Sequence, residues 1–391
     1  EQLLSQLESK PGQKYDAERA ERDAQLLAAS GDYERVDFHV EDRMGRDTLV
    51  FGMEDKSWGP NYFRLGLDLS TNLNGESAFD LRVSHNRHWL TDSGTEWRNQ
   101  LTIGQTPRLY TEIYQPLGFQ LGRSNDWFVA GWSAVERRNI TLYDRDDGRG
   151  LARLNRSSFA FGGDLGQPWG RWGELRLGFS HEVWRIRPDL VTADAESAAL
   201  LRQTWRETAL RLRTIVDQLD YANFPQSGYR LVAELLAGQQ SGPGEKRAFA
   251  RRAELDFSAV RSWGGHTINF NIRAFDAQQP QDSAQGPYAL GGFQQLSGYQ
   301  QGQLTGSTLL FTRAVYYRRL NDAPLLARGL FLGGSLEAGN AWDDRRQLSG
   351  RDLRFASSLF VGADTGVGPL YLAVGYAPRG GAALYLFIGR P

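Results

Sequence analysis

The chain has 391 residues, of which 40% are hydrophobic and 12% aromatic, so it can build a large core. Its 45 basic and 46 acidic residues nearly cancel, and overall charge therefore gives no reason to expect a nucleic-acid partner. The absence of cysteine excludes disulfides, thiolate catalysis and cysteine-based metal sites, and no apolar run approaches the ~20 residues of a membrane helix.

The first 57 residues differ from the rest of the chain. The pattern predicts a helix around Leu7, a second helix over residues 17–29, and a hairpin of two strands over residues 33–40 and 47–53. A two-stranded hairpin alone is marginally stable. We therefore expect a third strand upstream of the first residue, and interpret the chain as a fragment.

Beyond residue 58, apolar and polar residues alternate along long strands. Phe63, Leu65 and Leu67, for example, alternate with Arg64 and Gly66. About sixteen such strands fit before residue 389, and an even number is typical of a closed single-chain outer-membrane barrel. The 44 glycines, 11 tryptophans, 15 tyrosines and 20 phenylalanines also suit a large β-barrel.

The alternative is a soluble β-sandwich whose polar face lies in bulk water. A sandwich of this size needs two sheets and shorter strands, whereas these strands run long, as tilted membrane strands do. Loop lengths favour the barrel too, because the long connections all follow odd-numbered strands: residues 143–150, 187–202 and 277–303. The other end has mostly compact turns: residues 91–94, 166–170, 262–265 and 366–368. This asymmetry is typical of outer-membrane barrels.

The longest connection, residues 277–303, has no helical period and a single charge, Asp282. It joins two predicted strands that would normally meet in a tight hairpin. Its aromatic residues Tyr288, Phe293 and Tyr299 favour a folded loop that packs into a concave surface, and the alternative is a floppy surface loop.

The order helix, helix, strand, strand and sixteen-stranded barrel resembles the POTRA-barrel superfamily of outer-membrane insertases and two-partner secretion transporters. Three motifs carry the resemblance. A periplasmic turn of type D-x-x-x-F-P-x-x-G is similar to Asp220, Phe224, Pro225 and Gly228. The loop that the family folds into its lumen is similar to Gly291, Gly292, Leu296, Ser297, Gly298 and Tyr299. The strand that anchors this loop is similar to Glu337, Gly339, Asn340 and Trp342.

One departure from the family concerns Ser297, which stands where the family has an arginine that pairs with the acid of the later strand. Glu337 therefore lacks its usual ionic partner at the motif position. Either another donor replaces it, for instance the inward-facing Arg313, or hydrogen bonds alone hold the loop.

A finer resemblance, to the C-terminal half of patatin-like autotransporters of type Vd secretion, comes from residues 54–67 and 389–391. In that family a lipase domain precedes one POTRA domain and the barrel. The resemblance implies a partial periplasmic POTRA domain over residues 1–57 and an outer-membrane barrel over residues 58–391. The terminal phenylalanine typical of such barrels is missing, with Phe387 the nearest aromatic residue, so we expect that a last residue was lost.

The implied fold class is mainly β: an antiparallel transmembrane barrel of about 16 strands preceded by a small α+β POTRA domain whose first strand is missing. The implied function is an outer-membrane translocator or anchor that secretes or tethers an upstream lipase passenger. The implied partners are outer-membrane lipids, the covalently attached lipase passenger and the barrel-assembly machinery, with a homo-oligomer left open. The alternatives are a two-partner-type protein transporter, a passive pore, and an enzyme working in the barrel wall.

Catalytic chemistry finds little support in the sequence. The five histidines lie on distant predicted strands, and there is no G-x-S-x-G, Walker, H-E-x-x-H or G-x-G-x-x-G motif. We therefore predict no catalytic residue, metal or cofactor. We expect charged side chains of the inner face to line a wet lumen, a few of them holding the loop: Arg64, Asp68, Arg211, Arg213, Glu254, Asp256 and Arg273.

The last strands are rich in glycine: Gly368, Gly375, Gly380, Gly381 and Gly389. Glycine weakens strands. We therefore predict a weakly packed seam between residues 61–69 of the first strand and residues 384–388 of the last, which can open.

Overall fold

The computed structural model describes residues 7–29, 33–43, 45, 47–55, 61–72, 77–117, 127–144, 148–170, 172–191, 202–221, 223–243, 247–278, 288–320, 327–366 and 368–389. Among these residues, no helix is long and apolar enough to cross a membrane.

The N-terminal part contains helix α1 (Ala17–Ala29) and a hairpin of β1 (Tyr33–Asp42) and β2 (Asp47–Asp55). Asp16 caps α1, because its Oδ1 accepts hydrogen bonds from the backbone N–H groups of the first turn. The helix and the hairpin lie where the sequence predicts them. The predicted first helix falls mostly outside the described residues, and residues 7–10 are not helical. The POTRA assignment remains a prediction.

Sixteen antiparallel strands form a closed barrel, which confirms the predicted strand number. Each barrel strand pairs with its neighbours in chain order, and the last strand closes onto the first. Two short strands, β14 (Tyr288–Leu290) and β15 (Leu304–Gly306), lie outside the barrel sheet, between its eleventh and twelfth strands. The barrel strands are β3 (Asn61–Asn72), β4 (Ser77–Arg87), β5 (Glu96–Gly104), β6 (Arg108–Pro116), β7 (Phe128–Tyr143), β8 (Gly150–Pro168), β9 (Gly173–Val191), β10 (Gln203–Asp217), β11 (Ser227–Ser241), β12 (Arg247–Trp263), β13 (His266–Gln278), β16 (Thr308–Arg319), β17 (Ala327–Trp342), β18 (Arg354–Thr365), β19 (Gly368–Ala377) and β20 (Gly381–Ile388).

The barrel exposes apolar side chains on its outer face and buries polar ones on its inner face. On β17, Leu336 points outward and is 72% exposed, whereas its neighbours Ser335 and Glu337 point inward and are buried. Leu65 and Leu359 are exposed to a similar extent. A soluble sandwich would bury its apolar side chains and expose its polar ones. The observed arrangement therefore supports the predicted barrel and not the sandwich.

The two ends of the barrel differ in the length of their connections. At one end, here called the long-loop end, lie the connections after β7, β9, β13 and β17. The last of these, residues 343–353, contains two 3-10 turns, Arg345–Gln347 and Gly350–Asp352. The other end, the short-turn end, was predicted to have mostly compact turns; its connections range from two residues at 264–265 to eleven residues at 117–127.

The seam between the first and last barrel strands is short. Among the described residues, four residue pairs join β3 and β20, from Leu69↔Ile388 to Asn72↔Tyr385, whereas eight join β19 and β20. The predicted seam between the first and last strands is present, but the pairing uses the far end of β3, residues 69–72, rather than residues 61–68. Among the described residues, residues 61–68 have no strand partner on the seam side.

Candidate functional site

The connection between β13 and β16 folds back into the barrel. Its described part, residues 288–306, is here called the inner loop; it begins and ends with two short paired strands, β14 (Tyr288–Leu290) and β15 (Leu304–Gly306). The inner loop packs against β13 and β16 to β19 in one apolar cluster. Five of its side chains are at most 1% exposed: Leu290, Leu296, Ser297, Tyr299 and Leu304. The loop is therefore folded and buried inside the barrel. Asp282 and the rest of residues 279–287 lie outside the described residues.

Glu337 on β17 holds the tip of the inner loop. Its Oε2 accepts hydrogen bonds from the backbone N–H groups of Leu296 and Ser297, both at 2.7 Å. Its Oε1 accepts from the Ser297 hydroxyl at 2.9 Å and from the Ser335 hydroxyl. A carboxylate offers about four lone-pair sites, so these four donors satisfy it while it is only 3% exposed.

Ser297 thus takes over the role expected of the missing arginine, by hydrogen bonding rather than by charge. Its hydroxyl donates to Glu337 and accepts from the backbone N–H of Gln294 at 2.9 Å, which closes the tip of the loop. Arg313 also contributes, because it lies directly opposite Glu337 in the β16–β17 register and donates to the Gln294 carbonyl oxygen at 3.1 Å. Hydrogen bonds from Ser297 therefore hold the loop tip on Glu337, and Arg313 adds a further hydrogen bond to the loop backbone.

The tip of the inner loop has an unusual backbone. Gly291, Gly292 and Gly298 have positive φ, which glycine adopts easily. Gln294 and Leu296 also have positive φ, of 55° and 75°, which costs a side-chain-bearing residue about 1 kcal/mol or more. Such strain persists only where the surroundings impose it. The contacts with Glu337 and Arg313 supply that constraint.

Glycines of the last strands allow the loop to approach the barrel wall. A β-carbon added at Gly375 would lie 2.6 Å from the β-carbon of Ser297, and one at Gly380 would lie 2.9 Å from the Gly298 carbonyl oxygen. Gly298 also donates its N–H to the Tyr385 hydroxyl on β20, at 2.8 Å. Gly375 and Gly380 are therefore explained by the loop contact rather than by the seam.

Residues 218–226, here called the mouth turn, join β10 to β11 at the short-turn end. Asp220 organises it: its Oδ1 accepts from the N–H groups of Tyr221 and Gln226, at 2.9 and 2.8 Å. Burial raises the pKa of Asp220, but hydrogen bonds from Ser227 and Gln226 outweigh this and hold the pKa below its ordinary value. Gly228 has a φ of 104° and ends the turn.

Phe224 connects the mouth turn to strands that lie further round the barrel wall. Its ring stacks on Phe331 of β17, with ring centres 4.1 Å apart, although β17 is four strands away around the wall. Pro225 accepts a hydrogen bond from the Tyr317 hydroxyl on β16. The mouth turn thus crosses the short-turn end of the barrel and is fixed on the far side.

One aromatic cluster joins the mouth turn to the inner loop. Phe224 and Phe293 both contact Tyr371 of β19, with ring centres 5.2 and 5.5 Å apart. Phe293 also packs against Tyr385 and Phe387 of β20. The loop, the turn and the last strands therefore share one apolar core inside the barrel.

The opposite wall of the lumen is ionic. Arg176 on β9 lies 2.9 Å from Glu112 on β6, and Arg211 on β10 lies 2.7 Å from Asp164 on β8. Gly178, between these strands, leaves the space that Asp164 occupies. Sequence reasoning missed Glu112, Asp164 and Arg176, because strand parity places them inward but cannot show which strands their side chains reach.

Most of the predicted inward charges form ion pairs: Asp68 with Arg82, Arg213 with Glu234 and Arg273 with Asp256 on neighbouring strands, and Arg211 with Asp164 two strands away. Two of them touch the inner loop. Arg273 donates to the Gln295 side chain at 3.3 Å, and Glu254 accepts from the Tyr288 hydroxyl at 3.0 Å. A wet lumen lined by charged side chains thus explains most of the predicted inward charges. Two of them, Arg273 and Glu254, also hold the inner loop.

Not all residues of the predicted anchoring strand touch the loop tip. Gly339 lies beside Phe311, and Asn340 donates to the Asp352 carbonyl oxygen at 2.9 Å, in the connection over residues 343–353. Trp342 is 4% exposed and lies near Gly306. Within the part of the chain that the structure describes, no group of three or more histidine or acidic side chains could hold a metal ion.

No family model and no curated protein matches the sequence. Among solved structures, BamA from Haemophilus ducreyi lacking POTRA domains 1–3 is similar, with a TM-score of 0.73 and 12% identity over 99% of this chain and 81% of that one. CdiB from Acinetobacter baumannii and CdiB from Escherichia coli are also similar, each with a TM-score of 0.56 over 99% of this chain. Their identities are 13% and 11%, and they are covered to 70% and 74%. The chain therefore has the sixteen-stranded barrel fold that these proteins share.

Proposed function

We propose that the chain is an outer-membrane barrel that moves or tethers a polypeptide at the membrane, with the inner loop as its plug. The observation that carries this proposal is the inner loop itself, held inside a closed barrel by Glu337. A passive pore does not require a buried, strained plug on one wall or a mouth turn fixed across one end. A passage that opens and closes requires an element that blocks it, and the inner loop is such an element.

The outer face supports a membrane location. On β9, the outward-facing residues from Leu175 to Val183 are apolar except for His181, and Arg185 follows. The eleven residues from Gly173 to Val183 rise roughly 25 Å along a tilted strand, which is the height of the apolar band in outer-membrane barrels. Exposed tryptophans border the band at the short-turn end: Trp169, Trp172 and Trp263. Interfacial aromatic residues are typical of this position.

The finer part of the proposal concerns the passenger. The resemblance of residues 54–67 and 389–391 to patatin-like autotransporters supports an upstream lipase domain carried by this chain, with residues 1–57 as a partial periplasmic POTRA domain. Residues 56–60, 390 and 391 of these segments lie outside the described residues. We further propose that the barrel-assembly machinery inserts the chain, that a homo-oligomer is compatible with its outer face, and that the chain itself is not an enzyme. Hydrolysis of phospholipid by the purified chain would overturn that last point.

An experiment on intact cells tests the translocator role. An epitope is placed just before Glu1 in the full reading frame, and the cells are treated with external protease. Digestion of the epitope, with a periplasmic marker intact, supports transport of the upstream domain across the membrane. Protection of the epitope contradicts secretion and leaves the chain as an anchor.

A second candidate is a two-partner transporter that secretes a separate protein. The likeness to the two CdiB structures favours it. Co-expression with an unlinked, tagged secretion substrate distinguishes the two functions. Surface delivery of only the covalently attached domain supports the autotransporter, whereas delivery of the unlinked protein supports the alternative.

A further inference from the structure

The outer face of the barrel carries a one-sided group of arginines, here called the arginine face. It lies on β7 to β12, in the half of these strands that is nearer the long-loop end. Its seven side chains are all exposed: Arg137, Arg153, Arg185, Arg187, Arg206, Arg247 and Arg251. Strand alternation places them outward, because each shares its face with the exposed apolar residues of the same strand.

The arginine face begins where the apolar band ends. Val135, Phe159 and Val183 are register partners on β7, β8 and β9 and form the last apolar row. Two residues further along the same strands, Arg137, Ser157 and Arg185 form the next outward row. This row continues to Thr204 on β10. On β7 to β9 the outward side chains thus change from apolar to polar within one row, and on β10 the change comes earlier, because Arg206 is the register partner of Val183.

The charges of this face are not balanced. Within the ranges that the structure describes, none of the seven arginines lies in an ion pair, and the face has one exposed acid, Asp189. The formal charge is therefore 7 − 1 = +6. The connection over residues 343–353 is different, since its three aspartates match its three arginines. The charges of this connection balance, whereas those of the arginine face do not.

Phe249 lies between Arg247 and Arg251 on β12 and is 66% exposed. An exposed phenylalanine among cations suits the boundary between hydrocarbon and headgroups, where one part of the surface meets acyl chains and another meets anions. A soluble partner docking here would have to enter the headgroup layer. This position favours a lipid as the occupant.

We propose that the arginine face binds phosphate groups of outer-leaflet lipids, and in particular of a glycolipid that carries several phosphates. The proposal rests on the membrane location proposed above. Guanidinium groups bind phosphate in a bidentate manner. Arg185 and Arg187 lie about 7 Å apart along β9, and neighbouring strands lie about 4.8 Å apart, so more than one phosphate can be bound at once. The barrel would then have a preferred lipid on one side.

Native mass spectrometry of the purified chain in mild detergent tests this proposal. The probe is lipid A with two phosphates, compared with the same lipid after removal of its phosphates. The test variant is R185Q/R187Q/R206Q, which removes three charges from the face. The matched control is R261Q/R318Q, because Arg261 and Arg318 are also exposed and outward-facing but lie at the short-turn end.

We expect the phosphorylated lipid to bind more tightly than the dephosphorylated one, and the test variant to weaken its binding by at least about tenfold. The control variant should retain most of the binding, and an arginine-to-lysine triple variant should bind with intermediate affinity, because lysine keeps the charge but not the bidentate contact. Equal binding of the two lipids, or an equal loss in the control, would overturn the proposal. The heat-modifiable gel mobility of a folded barrel is a separate readout, and its absence would count against the proposed membrane function instead.

Discussion

Ser297 binds both oxygens of the Glu337 carboxylate, through its backbone N–H at 2.7 Å and its hydroxyl at 2.9 Å. This pair joins the most buried part of the inner loop to the barrel wall. A hydrogen bond to a charged acceptor contributes about 1.5–3 kcal/mol, so the carboxylate is a strong anchor even without an arginine at the motif position. Its removal should release the loop.

The first prediction concerns Glu337→Gln. The amide oxygen can still accept from the Leu296 and Ser297 N–H groups, but the negative charge is lost and an NH2 donor replaces the oxygen that accepts from the Ser297 and Ser335 hydroxyls. We expect the anchor to weaken by about 2 kcal/mol, which raises the released fraction roughly thirtyfold. Single-channel conductance in planar bilayers should then show more frequent open events.

The matched control for this variant is Glu234→Gln. Glu234 also faces the lumen, but it pairs with Arg213 on the neighbouring strand. Equal conductance of the two variants would show that Glu337 does not hold the plug.

The second prediction concerns Gly375→Ala. The added β-carbon would lie 2.6 Å from Ser297 and 2.9 Å from the Tyr385 ring, so the loop tip has to move. Overpacking of this kind costs about 1–3 kcal/mol. Gly131→Ala is the control, because it makes the same change in a strand where nothing lies within 4 Å. Urea unfolding in detergent should separate the two variants, and equal midpoints would contradict the proposed contact.

The sequence predicts the barrel well, because a lipid-facing wall imposes period-two alternation on every strand. The sequence predicts fewer of the side-chain contacts that are made across the lumen. The stacking of Phe224 on Phe331 and the pairing of Arg176 with Glu112 depend on barrel closure, which brings together strands that are far apart in the chain. The sequence also predicts that the first and last strands meet, but it does not show which residues pair: tight turns fix the register of most neighbouring strands, whereas no turn joins the first strand to the last.

The third prediction concerns Phe224→Ala in the mouth turn. It removes the ring that contacts Phe331, Tyr317 and Tyr371, and we expect a loss of about 3 kcal/mol in the free energy of unfolding. Tyr221→Ala is the control, since Tyr221 lies in the same turn but is 59% exposed. Limited proteolysis should cleave the turn faster only in the Phe224 variant. Cleavage at the same rate in both would mean that the stack does not fix the turn.

The fourth prediction concerns pH. Because the pKa of Asp220 is lower in the folded turn than its unfolded value of about 3.9, its contribution to stability is complete above that value. The contribution is lost as the pH falls through the folded pKa. We therefore expect wild-type protein to lose turn stability below about pH 4. The Asp220→Asn variant should be less stable than wild-type protein at pH 7, and its stability should fall less steeply as the pH is lowered. Parallel curves of stability against pH for the two proteins would show that Asp220 does not stabilise the turn.

The fifth prediction concerns the seam between β3 and β20. The chain has no cysteine, so the pair T71C/L386C introduces its only two thiols at positions that are register partners. Antiparallel partners lie within disulfide distance. If the four-residue seam opens during transport, the oxidised protein should fold but fail to deliver its passenger, and reduction should restore delivery. The control V374C/L384C joins β19 to β20, which no opening seam separates. Full delivery by the oxidised T71C/L386C protein would show that the passenger leaves through the lumen and not through the wall.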